Sequence, residues 1–207
     1  MTDDKDHPMK AMFKAPLVLA ALLGLSVGLS GCISLSAEPP ESLLTLTPTS
    51  TITAGATSSG TIETAIKIME PEVPQQLNVA RVPVQVDATQ IAYLKDAVWV
   101  EKPARLFRRL LAETIRAKSS RLVIDGEDPG LVAKSQLRGN LRDFGYDAAS
   151  SSVVMRFDAI RAGADGSVET RRFESIQPGI AAESGPVGDA LNRAANDVAG
   201  QVADWIG

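Results

Sequence analysis

One histidine and one cysteine are the only side chains here that change charge or attack as soft nucleophiles near neutral pH, and both precede residue 33. His7 stands ahead of an apolar run, and Cys32 closes that run in "GLSVGLSGCISLS". A Ser-His-Asp or Cys-His catalytic site needs an imidazole, and a structural zinc site needs thiolates or imidazoles. Residues 33–207 contain neither. Carboxylates remain. "DGED" at 125–128 lacks the spaced oxygens and closing Glu of an EF-hand loop, and with Pro129-Gly130 behind it reads as a turn. Asp143 and Asp147 flank "FGY", a spacing open to a paired-carboxylate glycosidase. Such a site needs one raised pKa, which nothing in the sequence supplies, and Asp147 is placed to begin a turn. Ser30 and Ser184 neighbour glycines outside any GxSxG context.

Cys32 therefore has to be explained without a partner thiol. Residues 15–29 carry no charge and follow Lys10 and Lys14. Fifteen residues fall short of the roughly 20 needed to cross a bilayer, but suit the apolar region of an export signal. The acidic "MTDDKDHP" fits such a signal poorly, which makes Met9 an alternative start. Leu29-Ser30-Gly31-Cys32 has the form of a lipobox, in which the thiol takes a diacylglycerol and the chain is cut just before it. Each buried CH₂ of an acyl chain adds about 0.8 kcal/mol of membrane affinity, and two or more chains give durable anchoring. Ordinary secretion, with cleavage after a small-x-small site such as Ser26-Val27-Gly28, is the competing reading.

These features divide the chain into a signal segment (1–31), a tether (32–41) and a domain (42–207). "ISLSAEPPES" is polar and proline-containing, as a tether between anchor and domain should be. The first 31 residues hold three acids and three bases, so the charge of −4 is the same without them. An acidic chain with pI ≈ 5.1 has no overall attraction for a phosphate backbone, and nucleic acid is excluded as an expected partner.

The domain's pattern calls for strands, a helix, more strands and a second helix. Residues 42–49 form a first strand candidate, the Ser/Thr-rich 49–61 a loop, and "TAIKIME" a strand. Val82, Val84 and Val86 alternate with Arg81, Pro83 and Gln85, so Pro83 marks an edge strand or a bulge. "QIAYLKDAVWVEK" looks like two short extended pieces around a Lys95-Asp96 turn, with Tyr93 and Trp99 as anchors. Pro103 opens an amphipathic helix whose apolar side is Leu106, Phe107, Leu110, Leu111 and Ile115. "RLVIDG" adds a short strand. Three strands then form an antiparallel meander, with turns at "AASS" and "GADG". Val187, Leu191, Ala194, Val198, Val202 and Trp205 recur at helical spacing, with Ser184 as N-cap, Asp189 in the first turn, and alanines and Gly200 allowing close helix approach. The expected fold is α+β: a two-layer sandwich of a mixed or antiparallel sheet with two amphipathic helices on one face.

Arg105, Arg108, Arg109 and Arg116 fall opposite the apolar stripe of the first helix. They could meet anionic headgroups or an acidic partner. A solvated outer face is the reading we favour, and Trp99 and Trp205 are read as core anchors.

The order of these pieces resembles the auxiliary lipoprotein family of ABC-type transport systems. The residues that carry the resemblance are the lipobox, "LLTLTP", "IAYLKDAVWVEKPARLFRRLLAETI" and "LRGNLRDFGYD". The likeness covers residues 42–206, and Leu43-Leu44 stand where many members carry a tyrosine. It implies a non-enzymatic component without a cofactor, working with an MCE-domain protein and an ABC permease and ATPase in lipid transport between membranes. A homo-oligomer is compatible with it. Ile33 after the cysteine, by the sorting rule of enteric bacteria, implies the outer membrane with the domain facing the periplasm. The alternatives are a lipid-anchored solute-binding protein carrying a small hydrophobic ligand itself, and an envelope hydrolase using carboxylates.

Overall fold

The computed structural model describes residues 42–126 and 132–207; Cys32, the signal segment and the tether lie outside the described residues. The sheet is built around one long strand, β5 (Ser135–Asp147). One edge of β5 pairs antiparallel along its length with β6 (Ser152–Ala162), and β6 pairs in the same way with β7 (Val168–Pro178). This is the expected meander. β6 forms because Val153, Met155, Phe157 and Ala159 alternate with half-buried residues, which aims one apolar row at the core.

The other edge of β5 is divided. Its start pairs in parallel with β1 (Ile66–Ile68), from Ile66↔Ser135 to Ile68↔Leu137. A lone bridge joins Glu72 to Asn140 at the middle. Its end pairs in parallel with β2 (Arg81–Gln85), at Val84↔Tyr146 and Gln85↔Asp147. β3 (Ile91–Val98) lies antiparallel to β2, and β4 (Val123–Ile124) parallel to β1. The described residues thus make a seven-stranded mixed sheet.

Two helices cover one face. On α1 (Pro103–Lys118), Leu106, Phe107, Leu110, Leu111 and Ile115 are buried; on α2 (Ser184–Ile206), Val187, Leu191, Ala194, Val198 and Val202 are buried. Two aromatic pairs pack in the core, one between helix and sheet and one beside the sheet. Phe107 meets Phe157 edge-on at 5.3 Å between ring centroids, and Trp99 stacks on Phe144 at 5.4 Å. Full burial of a Leu, Ile or Phe side chain contributes about 1.5–3 kcal/mol, so these rows dominate stability. The result is the α+β fold expected from the pattern.

Several local expectations are corrected. Residues 42–49 do not add a strand: Leu44 makes one bridge to Trp99, and the segment then runs along α2. β2 is interior, with neighbours on both sides, and the bulge accommodates Pro83: the register shifts between Arg81 and Pro83. That shift buries Pro83 with Val82 and leaves Val86 exposed. β3 is continuous across Lys95-Asp96, because Asp96 takes a left-handed conformation (φ 56°) within the strand instead of starting a turn. The N-cap of α2 is Glu183, one residue earlier than expected, and Asp189 lies beyond the first turn. Ser184 Oγ instead donates to the Asp96 carbonyl at 2.9 Å, tying α2 to the distorted point of β3. Gly200 is not the tight spot on α2. A Cβ there would meet only Lys118 Nζ at 3.8 Å, whereas one on Gly188 would stand 2.6 Å from Leu44 Cδ2.

At Gly145 a Cβ would collide with the Pro83 carbonyl, which is backbone and cannot swing aside. Gly145→Ala is expected to force β2 away from β5 and lower stability by about 1–3 kcal/mol. Thermal unfolding checks this, with a fall of roughly 2–4 °C per kcal/mol for a chain of this size.

Candidate functional site

The arginines on α1 are not a free cationic patch. Arg108 Nη1 lies 2.6 Å from Asp125 Oδ1, and Arg116 reaches the same carboxylate at 3.7 Å and Glu113 at 3.6 Å. Arg105 lies 3.6 Å from Glu70 and 3.9 Å from Glu101, and Arg109 also pairs with Glu101. Four guanidinium groups thus meet four carboxylates. Arg108 and Asp125 are largely buried, while the half-exposed pairs of Arg105 and Arg109 contribute little to stability; together these pairs cancel the field that would draw an anionic headgroup.

A second feature was not foreseen. An open groove of ≈ 520 Å³ lies over the end of β5, walled by the β2–β3 hairpin and the 3-10 turn Gln75–Leu77. Pro83, Ile91 and Val154 line it beside Gln85, Arg142 and Arg156. Asp143 and Asp147 both reach it, so the fold does bring the two sequence-flagged carboxylates together. Neither is arranged as a proton donor. Asp143 Oδ2 accepts from Arg156 Nη1 at 3.1 Å. Asp147 holds its own turn, accepting from Ser150 Oγ and the Ala149 N–H, and the Ser150 bond leads in keeping its carboxyl below the usual range. Strand register assembles this groove from remote segments, and no local spacing in the sequence announces it.

Beside the groove, the face of the sheet turned away from the helices carries a charged ladder across β5, β6 and β7. Asp158 accepts from Arg172 Nε at 2.6 Å and Nη2 at 2.8 Å, and from Arg142 Nε at 2.9 Å. Arg156 pairs with Glu174 as well as Asp143. The Arg172 hydrogen bond, with that of Arg142 behind it, holds the Asp158 carboxyl at about 2, against an ordinary 3.8.

A strap connects the N-terminal side of the chain to the helices. Leu44 N–H donates to the Val98 carbonyl at 2.7 Å, and Leu46 is buried. The Thr47 and Thr49 N–H groups donate to Asn192 Oδ1 (2.9 Å) and Asn196 Oδ1 (2.7 Å), and Asn196 Nδ2 returns a bond to the Thr47 carbonyl. Ile52 N–H then donates to Glu113 Oε1 at 3.0 Å. The asparagine pair, four residues apart on an alanine-rich helix, is the sequence signal that would have located this contact.

Among the described residues no cluster of His, Cys, Asp and Glu is arranged to hold a metal ion, and no helix is long and apolar enough to cross a membrane. The chain matches the family model described as "ABC-type transport auxiliary lipoprotein component" over residues 44–203. It belongs to that family. Among solved structures it is similar to protein XCC0632 from Xanthomonas campestris, at 14% identity and a TM-score of 0.66, over 79% of this chain and 93% of that one. An uncharacterized protein is also similar, at 14% identity and a TM-score of 0.60, over 70% of this chain and 93% of the other. No curated protein matches the chain.

Because the Asp158 carboxyl is depressed in the fold, its stabilisation is complete above pH 4 and is lost as the pH falls toward 2. The partner guanidinium groups are more than half exposed, so solvent screens the gain. Asp158→Asn is expected to cost about 1 kcal/mol at pH 7 and to flatten the decline in stability between pH 4 and pH 2, read by urea unfolding at each pH. A second variant, Asn196→Ala, is expected to speed backbone hydrogen exchange at residues 44–49 while leaving β5–β7 unchanged.

Proposed function

We propose that this protein is a non-enzymatic lipoprotein, anchored in the outer membrane by acyl chains on Cys32 and facing the periplasm. In this reading it serves an MCE-type system for lipid transport between membranes, alongside an ABC permease and ATPase. The match to the auxiliary-lipoprotein family over residues 44–203 is the observation that carries the proposal, since it spans nearly all of the domain. The lipobox at Leu29–Cys32 agrees with it. The strap suits a tethered docking element: it fastens residues 44–52 to both helices, so pull on a tether meets hydrogen bonds and a buried leucine before it reaches the sheet.

Carriage of a small hydrophobic ligand by this chain is the less favoured reading. The groove is open, and guanidinium and carboxylate groups form part of its lining. A site for an apolar cargo would be more enclosed and mostly apolar.

Cells fed a clickable fatty acid are expected to label the wild-type protein and not Cys32→Ser, and the unlabelled variant is expected to leave the membrane fraction. Tagged wild-type protein is expected to co-purify with an MCE-domain protein in mild detergent. Unlabelled wild type would remove the anchor, and repeated absence of the MCE protein would remove the transport assignment.

A further inference from the structure

The described sheet ends at β3, β4 and β7, and an end strand turns unpaired N–H and C=O groups outward. β4 holds two residues. β3 is distorted by the left-handed Asp96, and its far end is taken by Leu44, whose N–H donates to the Val98 carbonyl. β7 differs from both. Its 11 residues pair with β6 without a register shift, contain no lysine, and reach a proline only at the last position.

The turn before β7 fixes which groups face outward. Gly163 N–H donates to the Ser167 carbonyl at 2.8 Å, so these residues form a hydrogen-bonded pair one step beyond Ala162↔Val168. Such pairs recur at every second residue of an antiparallel ladder. Glu169, Arg171, Phe173, Ser175 and Gln177 therefore turn their backbone groups toward β6. Val168, Thr170, Arg172, Glu174 and Ile176 turn theirs to the open edge. The Glu174 carbonyl agrees with this, since it accepts at 3.1 Å from Nε2 of Gln201, an exposed side chain on α2.

We propose that this edge pairs with the same edge of a second copy of the chain, antiparallel, about a two-fold axis at Phe173. Phe173 is the midpoint of β7, so this register engages the whole strand. It sets Arg172 of one copy opposite Glu174 of the other and Thr170 opposite Ile176, with two N–H···O bonds exchanged in each pair. The charged row then continues across the axis. Asp143, Arg156 and Glu174 of one copy, followed by Arg172 and Asp158 of the other, alternate in sign from strand to strand. Arg172 gives Nε and Nη2 to Asp158, and Glu174 gives Oε2 to Arg156, which leaves Arg172 Nη1 and Glu174 Oε1 to meet between copies. Among the remaining side chains, Arg171 faces Ser175 and Glu169 faces Gln177, so no like charges stand opposite.

Other registers lose this match. An axis at Arg172 or at Glu174 sets that residue against its own copy, and like charges directly opposite oppose pairing. An axis at Arg171 or Ser175 leaves both charges opposite uncharged residues and shortens the ladder. The register of greatest length is thus also the one of matched charge, and this self-complementarity selects a second copy as the occupant.

In mild detergent the full chain is expected to dimerise by sedimentation equilibrium. Thr170→Pro removes an N–H that points away from β6, and is expected to weaken the dimer at least about tenfold without lowering the unfolding temperature of the separated chain. Where that variant fails to fold, Thr170→Lys with Ile176→Lys reads the same contact, because like charges then face each other, and Thr170→Glu with Ile176→Lys is expected to restore the dimer. Thr170→Cys with Ile176→Cys is expected to give an interchain disulfide on mild oxidation. Six residues of strand, roughly 20 Å, separate the two positions within one chain, beyond disulfide reach. Each cysteine alone, and the wild type with its Cys32, sets the background. A chain that stays monomeric overturns the pairing. An assembly that forms as tightly in Thr170→Pro and in the double-lysine variant, or cross-linking as strong with one added cysteine as with two, overturns it as well.

Discussion

Strand β5 is hydrogen-bonded along both edges, and every other strand reaches its place through it. β6 follows one edge from end to end and carries β7 outward. The second edge is shared between β1 near the start and β2 at the end, with β4 and β3 attached beyond them. Thirteen residues thus set the register of both parallel arms, although β1 and β2 are only three and five residues long. A short parallel pair has little stability alone. It is held because Leu137, Leu141, Phe144 and Tyr146 project from β5 into the core under the helices.

That dependence explains the glycines within β5. The register shift between Leu141 and Asp143 re-aims the strand so that Phe144 meets Trp99 while the β2 backbone comes close to Gly145. A Cβ on Gly139 would likewise collide with the Asp158 carbonyl and crowd the Phe157 ring. Side chains at these positions would separate strands that have no other route into the sheet. The charged ladder on the opposite face answers the same geometry from the solvent side, where Asp158 draws an arginine from each neighbouring strand.

What could be read in advance follows from how local each signal is. The alternation of Val153, Met155, Phe157 and Ala159 fixes β6 within its own residues, and the spacing from Leu106 to Ile115 does the same for α1. β3 was harder, because Asp96 accepts a left-handed backbone inside a strand, and the Ser184 hydroxyl that bonds its carbonyl lies 88 residues away. The start of the described chain departs from its pattern for a related reason. Residues 42–49 look like a strand, and their backbone does make strand-like bonds, but the acceptors at Thr47 and Thr49 are asparagine side chains of α2. Periodicity reports which face is apolar and not what satisfies the backbone. The groove and the charge balance on α1 were beyond sequence reading altogether. Glu70, Glu101 and Asp125 are brought to the arginines by loops on either side of the helix.

The strap gives the first described residues a defined seat on the helical layer. It runs along α2, with Leu44 against Gly188, Thr47 against Asn192 and Thr49 against Asn196, so residues 44–49 have a fixed place on the domain. The arginine-rich helix face has its charges cancelled by Glu70, Glu101, Glu113 and Asp125 and so exerts little long-range attraction. Recognition on such a face rests on shape and on exchange of ion-pair partners at close range, because screening removes the rest within about 10 Å at 0.1 M salt.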